Sequence, residues 1–178
     1  MVSKAAYLEK LLEEYERSFD IIRDYKIGQT VSEAYGFFST VSEKFVISPK
    51  ANLWSALGFE HILFLSGSAL TEEDIREAGR IMTEHMEPEL VRRGKKYPQK
   101  DHMYSYVTIA LLTETKPSAE TVAAVRAFRY EKNYLMTIRG YVEGHMILMD
   151  LSCGKAYANK PARHLTDFYE RIFCGLSA

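Results

Sequence analysis

Cysteine is scarce in this chain of 178 residues, which holds only Cys153 and Cys174. Two thiols so far apart make neither a disulfide framework nor a Cys-x-x-Cys redox or zinc pair, and both are read as reduced. Long hydrophobic runs are missing too. Ile62-Leu63-Phe64-Leu65 and Val107 to Leu112 fall far short of the ~20 residues that span a bilayer, so no membrane crossing is expected. Neither charge dominates: 23 Lys plus Arg stand against 24 Asp plus Glu, for a net charge of -1. Such a balance gives no global field to draw nucleic acid or anionic lipid, and either partner would need a local patch. Met1-Val2-Ser3-Lys4 runs directly into a charged amphipathic pattern without the apolar core of a signal peptide, which makes the cytoplasm the expected location. No Gly-rich phosphate loop, nucleophile elbow, internal repeat or low-complexity tract occurs. Nucleotide triphosphatases, α/β hydrolases and thioredoxin-like enzymes thereby lose their sequence support.

What is present suits one globular domain over residues 1–178, since 47% of the chain is hydrophobic and 12% aromatic. Leu8, Leu11, Leu12, Tyr15 and Phe19 recur at helical spacing and predict a first helix over about Ser3 to Arg17. Val31 to Thr40 alternates as a strand. Lys44 to Ile47, ended by Ser48-Pro49, reads as its returning hairpin partner, and a second strand pair is expected from Asn52–Ser55 and Phe59–Ser66. Thr71, followed by Glu73 and Asp74, marks a capped helix start, with Ile75, Ala78, Met82 and Met86 as its buried stripe and Pro88 as a kink or break. Met103 to Thr113 predicts a central strand, and Pro117-Ser118 opens a further helix. A turn at Cys153-Gly154 leads to a short strand, Lys155 to Ala158, and a last helix begins at Pro161. The sum is an α+β fold, an antiparallel or mixed sheet with about four helices packed on it.

The most informative stretch is Leu135 to Asp150, which alternates like one long strand. Met136, Ile138, Gly140, Val142, Gly144, Met146 and Leu148 read as its core face. Thr137, Arg139, Tyr141, Glu143 and His145 then form either a solvated face or the floor of a cleft.

Phe128-Arg129-Tyr130-Glu131-Lys132, Arg139-Gly140-Tyr141-Val142-Glu143, Leu148-Met149-Asp150-Leu151 and Tyr157-Ala158-Asn159-Lys160 make the C-terminal half resemble a family of small uncharacterised prokaryotic proteins. The earlier segment Glu43 to Trp54 fits the same resemblance, which covers nearly the whole chain. It implies a self-contained domain and contributes no catalytic residue.

Glu143 and His145 stand roughly 6 to 7 Å apart along a strand, close enough to share a water or an ion, with Arg139 available to an anion. A cross-strand ladder of charges on an exposed face is the plainer account of the same three residues. His102, Tyr104, Tyr106 and Thr108 share a second face. If the strands are neighbours, His102 or His61 joins His145 and Glu143 in a two-histidine, one-carboxylate set of the kind that holds a divalent metal; an amphipathic lining between sheet and helices is the commoner origin of such a face. The one basic run, Arg92-Arg93-Gly94-Lys95-Lys96-Tyr97 to Lys100, is a candidate anion or nucleic-acid loop through Arg92, Arg93, Lys95 and Lys96. Cations that answer a helix C-terminus, with Gly94 as its left-handed residue, account for it without a ligand. Glu33, Glu43, Lys44 and Lys50 bring metal-dependent phosphodiesterases to mind but lack their Asp and Glu-x-Lys spacing. The favoured functional reading is a non-enzymatic protein that binds a small molecule or another protein and self-associates through an aromatic-rich surface. A divalent-metal hydrolase using Glu143, His145 and Arg139 is the alternative, and a nucleic-acid binder through the basic loop the third. No cofactor or catalytic residue is assigned.

Overall fold

The two strands that build the centre of the molecule are buried on both faces for most of their length. These are β6 (His102–Thr113) and β8 (Tyr141–Asp150) in the computed structural model, which describes residues 2–45 and 52–177, with only the backbone described for 42–45 and 52–56. They lie in a mixed sheet of order β1-β4-β5-β6-β8-β7, where β1 is Asp20–Arg23, β4 Ala34–Phe45, β5 Asn52–Gly67 and β7 Glu131–Asn133. β5, β6 and β8 run parallel and the outer pairs antiparallel; β9 (Lys155–Ala158) also pairs with β8, and β2 (Lys26–Ile27) pairs with β3 (Thr30–Val31) apart from the main sheet.

Parallel neighbours need crossovers, and both crossovers cover the same face of the sheet. α2 (Glu72–Ile81) links β5 to β6, and α3 (Ala119–Ala127) lies between β6 and β8. Thr71 closes a reciprocal cap with Asp74, and the Ser118 hydroxyl accepts from the Thr121 N–H at 3.1 Å. Ile75, Ile81, Met82 and Val125 from this layer meet Leu63, Val107, Ile109 and Leu148 from the sheet. The opposite face is covered by α1 (Lys4–Tyr15) and α4 (Thr166–Ser177), whose Tyr7, Leu11, Leu12 and Tyr169 pack on Phe64, Ala110, Leu112 and Ile147. Among the described residues no helix is long and apolar enough to cross a membrane.

The α+β class, the mixed sheet and the four α-helices match the expectation, while several boundaries do not. Lys44 and Phe45 end β4 itself, which pairs with β5 from Ala34↔Phe64 to Phe45↔Asn52. Ser48, Pro49 and Lys50 lie outside the described residues. The two short strands expected between Asn52 and Ser66 are the single β5, so Leu57-Gly58 is no turn. At Pro88 the helix does not stop: Met82–Val91 continues α2 with wider π turns, and Arg92 N–H donates to Glu87 O, five residues back. Widening the turn moves the carbonyl of Glu84 away from the proline ring that would otherwise strike it.

The largest correction concerns residues 135–140. They form a loop, not a strand, with φ of 49° at Leu135, 50° at Met136, 71° at Thr137 and 75° at Gly140. Three consecutive left-handed residues cannot sit in a ladder, and Met136 and Ile138, expected in the core, are 88% and 75% exposed. β8 begins only at Tyr141. Gly140 is required where it stands, because a Cβ there would lie 2.3 Å from the Met103 carbonyl oxygen.

Candidate functional site

Tyr104, Tyr106 and Thr108 from β6 share the α1/α4 face of the sheet with Tyr141, Glu143 and His145 from β8. The register sets them in rows: Tyr104 beside Tyr141, Tyr106 beside Glu143, and Thr108 beside His145. β5 extends each row with Gly58, Glu60 and Ile62. Glu60, Tyr106 and Glu143 therefore form one line across three parallel strands, a tyrosine flanked by two carboxylates. Beside these rows lies a cleft of about 200 Å³, lined by Glu60, Tyr106, Thr108 and His145 from the sheet and by Tyr15 of α1, Phe168 of α4 and His164.

The rings follow one another in order. Tyr104 and Tyr106 have centroids 4.8 Å apart, Tyr106 stacks on His145 at 4.9 Å, and His164 meets His145 edge-on at 5.8 Å. Gly58 makes room at one end, since a Cβ there would meet the Tyr104 ring at 2.3 Å. At the other end a short 3₁₀ turn, Arg163–Leu165, holds His164, whose Nδ1–H donates to the Pro161 carbonyl at 2.9 Å.

His145 Nε2 and Glu143 Oε1 are 3.0 Å apart. Burial lowers the His145 pKa, with Glu143 acting against it, so the ring is neutral near pH 7. A neutral ring that donates Nε2–H to the carboxylate keeps its lone pair on Nδ1. Burial also raises the Glu60 carboxyl, opposed by His164. The neighbouring Tyr141 hydroxyl, and then burial, holds the Tyr106 hydroxyl above its ordinary value. The cleft thus offers stacking surface, acceptor oxygens and imidazole nitrogens.

Of the residues singled out from sequence, His145 lines the cleft, Tyr104 and Glu143 lie on the same face beside it, and two do not join them. His102 faces the opposite side. Leu57 pairs with His102 but Gly58 with Tyr104, so Met103 is an extra residue that breaks the alternation of β6. His102 Nδ1–H donates to the Arg139 carbonyl at 2.8 Å, and its Nε2 lies 2.8 Å from the Ser105 hydroxyl, leaving both nitrogens committed to structure. Arg139 contributes that carbonyl from the 135–140 loop rather than a guanidinium to the cleft. His61 also lies on the far face, hydrogen-bonded to Tyr35. The two-histidine, one-carboxylate set is therefore split by the sheet, and among the described residues no three of His, Cys, Asp and Glu are grouped to hold an ion.

The basic run divides as well. Arg92 donates from Nε and Nη2 to Glu87 at 2.6 and 3.1 Å and from Nη1 to the Lys95 carbonyl, while Lys96 sits over the Tyr97 ring at 5.3 Å. Gly94 closes the helix end as expected, its N–H reaching Pro88 O. Large apolar side chains exposed among the described residues are aliphatic: Ile22, Val31, Val41, Met103, Leu135, Met136, Ile138 and Leu176. Two residues of the cleft were not anticipated. His164 carried no signal, but Glu60 did, as a carboxylate inside the apolar run Gly58-Phe59-Glu60-His61-Ile62-Leu63.

No curated protein and no solved structure matches the chain. A family model does match, over residues 3–171, in keeping with the resemblance to proteins without assigned activity. The chain belongs to that family, the domain of unknown function DUF8052.

Proposed function

We propose that this protein binds a small planar ligand rich in N–H donors, a nitrogen heterocycle or a ring-bearing amine, in the cleft over Tyr106. The observation that carries the proposal is the Glu60-Tyr106-Glu143 line, with His145 stacked on the same tyrosine. A flat ring laid on Tyr106 would find the Glu60 carboxylate in the cleft and that of Glu143 in the adjoining row, and gain cation–π attraction if charged. At ~30 Å³ per water, the 200 Å³ space corresponds to six or seven waters, which suits a ligand of one or two rings.

The test is a calorimetric screen of nitrogen heterocycles and aromatic amines against the wild type and two variants. Tyr106→Ala removes the stacking surface, worth about 1–3 kcal/mol, and should weaken any hit by roughly 5- to 150-fold; Tyr106→Phe should largely preserve it. Hits that bind the Ala variant as well as the wild type would locate the ligand elsewhere and end this reading.

A second reading has its own observation: burial moves Glu60 up and His145 down, toward each other, on either side of Tyr106. Such a pair suits proton transfer on a bound substrate without a metal. Under it, Glu60→Gln abolishes turnover and leaves ligand affinity within a few-fold. Homo-oligomer formation is also proposed, through the exposed aliphatic side chains, and sedimentation velocity reads it directly. A single species at monomer mass would remove it.

A further inference from the structure

On the α2/α3 face, β5 presents His61 to a second pocket, of about 60 Å³. That volume equals roughly two waters at ~30 Å³ each, the size of one tetrahedral oxyanion. Phe59 and Leu90 supply apolar walls, and Arg93, Lys95 and Gln99 a polar rim. His61 is only 4% exposed, and its Nδ1 lies 2.7 Å from the Tyr35 hydroxyl. Nε2 has no hydrogen-bond partner among the described residues, whereas every fully buried side-chain nitrogen or oxygen among them has one. His61 borders both this pocket and the cleft of the opposite face, and its ring, on the side of Tyr35 and Phe37, faces the pocket.

A neutral imidazole accepts at one nitrogen and donates at the other. Burial, together with Arg93 and His102, holds the His61 pKa down to about 4, so the ring is neutral. The Tyr35 hydroxyl is 2.7 Å from Nδ1, and in the tautomer where it donates there the proton sits on Nε2, which is the form the pocket would select for an anion. The pocket therefore has a donor at its floor and two cations at its mouth. Those cations are available: Arg93 and Lys95 form no salt bridge among the described residues, and the nearby Glu87 carboxylate is already matched by Arg92 and Lys132. Three backbone amides of the turn are already used, since the N–H groups of Arg92, Gly94 and Lys95 donate to Glu87, Pro88 and Arg92 carbonyls.

We propose that this pocket binds a tetrahedral oxyanion, as free phosphate or as the terminal group of a phosphate monoester, held by His61 Nε2–H and by Arg93 and Lys95. The site is independent of the cleft on the other face and stands whether or not that cleft binds a ring.

The experiment is a titration followed by NMR of ¹⁵N-labelled histidine, with ionic strength held constant by sodium chloride. Inorganic phosphate should shift the His61 Nε2 resonance saturably and leave His102 and His145 unmoved. Phenyl phosphate distinguishes the two sources: tighter binding than inorganic phosphate identifies a monoester lying against Phe59 and Leu90, and equal or weaker binding identifies the free ion. Arg93→Gln combined with Lys95→Gln, both on exposed side chains, should weaken phosphate at least tenfold with the fold intact. The proposal is overturned if ~10 mM phosphate gives no saturable His61 shift, or if the double variant binds as tightly as the wild type.

Discussion

Replacing Asn159 by alanine should destabilise the protein by about 3 kcal/mol and lower its Tm by roughly 6–12 °C, as read by chemical and thermal unfolding. β8 has two partners along one side, β7 near its start and β9 near its end, and neither reaches the residues between. The Asn159 side chain fills that gap. Its Oδ1 accepts from the Met146 N–H at 3.0 Å, and its Nδ2 donates to the Gly144 carbonyl at 2.9 Å. The amide is fully buried, so alanine leaves a backbone donor and an acceptor dry and unpaired. Asn159→Asp should be worse at neutral pH, because it sets an oxygen against the Gly144 carbonyl. A loss under 1 kcal/mol for the alanine variant would mean that water can take over the bridge.

Removing Glu87 should cost a similar amount, about 3 kcal/mol for Glu87→Ala. This carboxylate is 1% exposed, yet it accepts from Arg92 at 2.6 Å, pairs with Lys132 at 3.0 Å and accepts from the buried Tyr134 hydroxyl at 2.5 Å. Truncation leaves two cations and a hydroxyl facing an empty space. Burial alone would raise the Glu87 pKa, but the bonds from Arg92, Tyr134 and Lys132 outweigh it and the net shift is downward. A carboxyl with a folded pKa below its unfolded value stabilises fully above the ordinary range near 4.5 and loses that contribution as pH falls through the lower folded value. The wild type should thus weaken on acidification below about pH 5, and Glu87→Gln should flatten that part of the profile. Parallel pH curves for the two proteins would show that other carboxylates govern acid unfolding.

The elements most legible in the sequence were those with a strong local signal. Ser3, Thr71 and Ser118 each cap the helix that their position implied, and the apolar run of β6 proved central. The failures share a cause. Alternation cannot tell a strand from a loop that happens to alternate, and in residues 135–140 the backbone reverses hand while the hydropathy pattern continues undisturbed. Nor does alternation register an inserted residue: Met103 shifts His102 to the face opposite Tyr104 with no mark in the composition. Of the cleft and the rows beside it, Tyr104, Glu143 and His145 were found because they lie on strands whose pattern held. Glu60 and His164 reach it through strand order and a distant turn, which no local window contains.

Glu60 and His61 are consecutive in β5, and their side chains lie on opposite faces of the sheet. A single-residue insertion or deletion between Phe59 and Ile62 would exchange them, placing an imidazole where the carboxylate belongs and a carboxylate among the cations. Length changes in this strand therefore cannot damage one side alone. Among related chains, gaps should collect in the 135–140 loop and the Arg92–Lys100 turn, while β5 keeps a constant residue count even where its side chains vary.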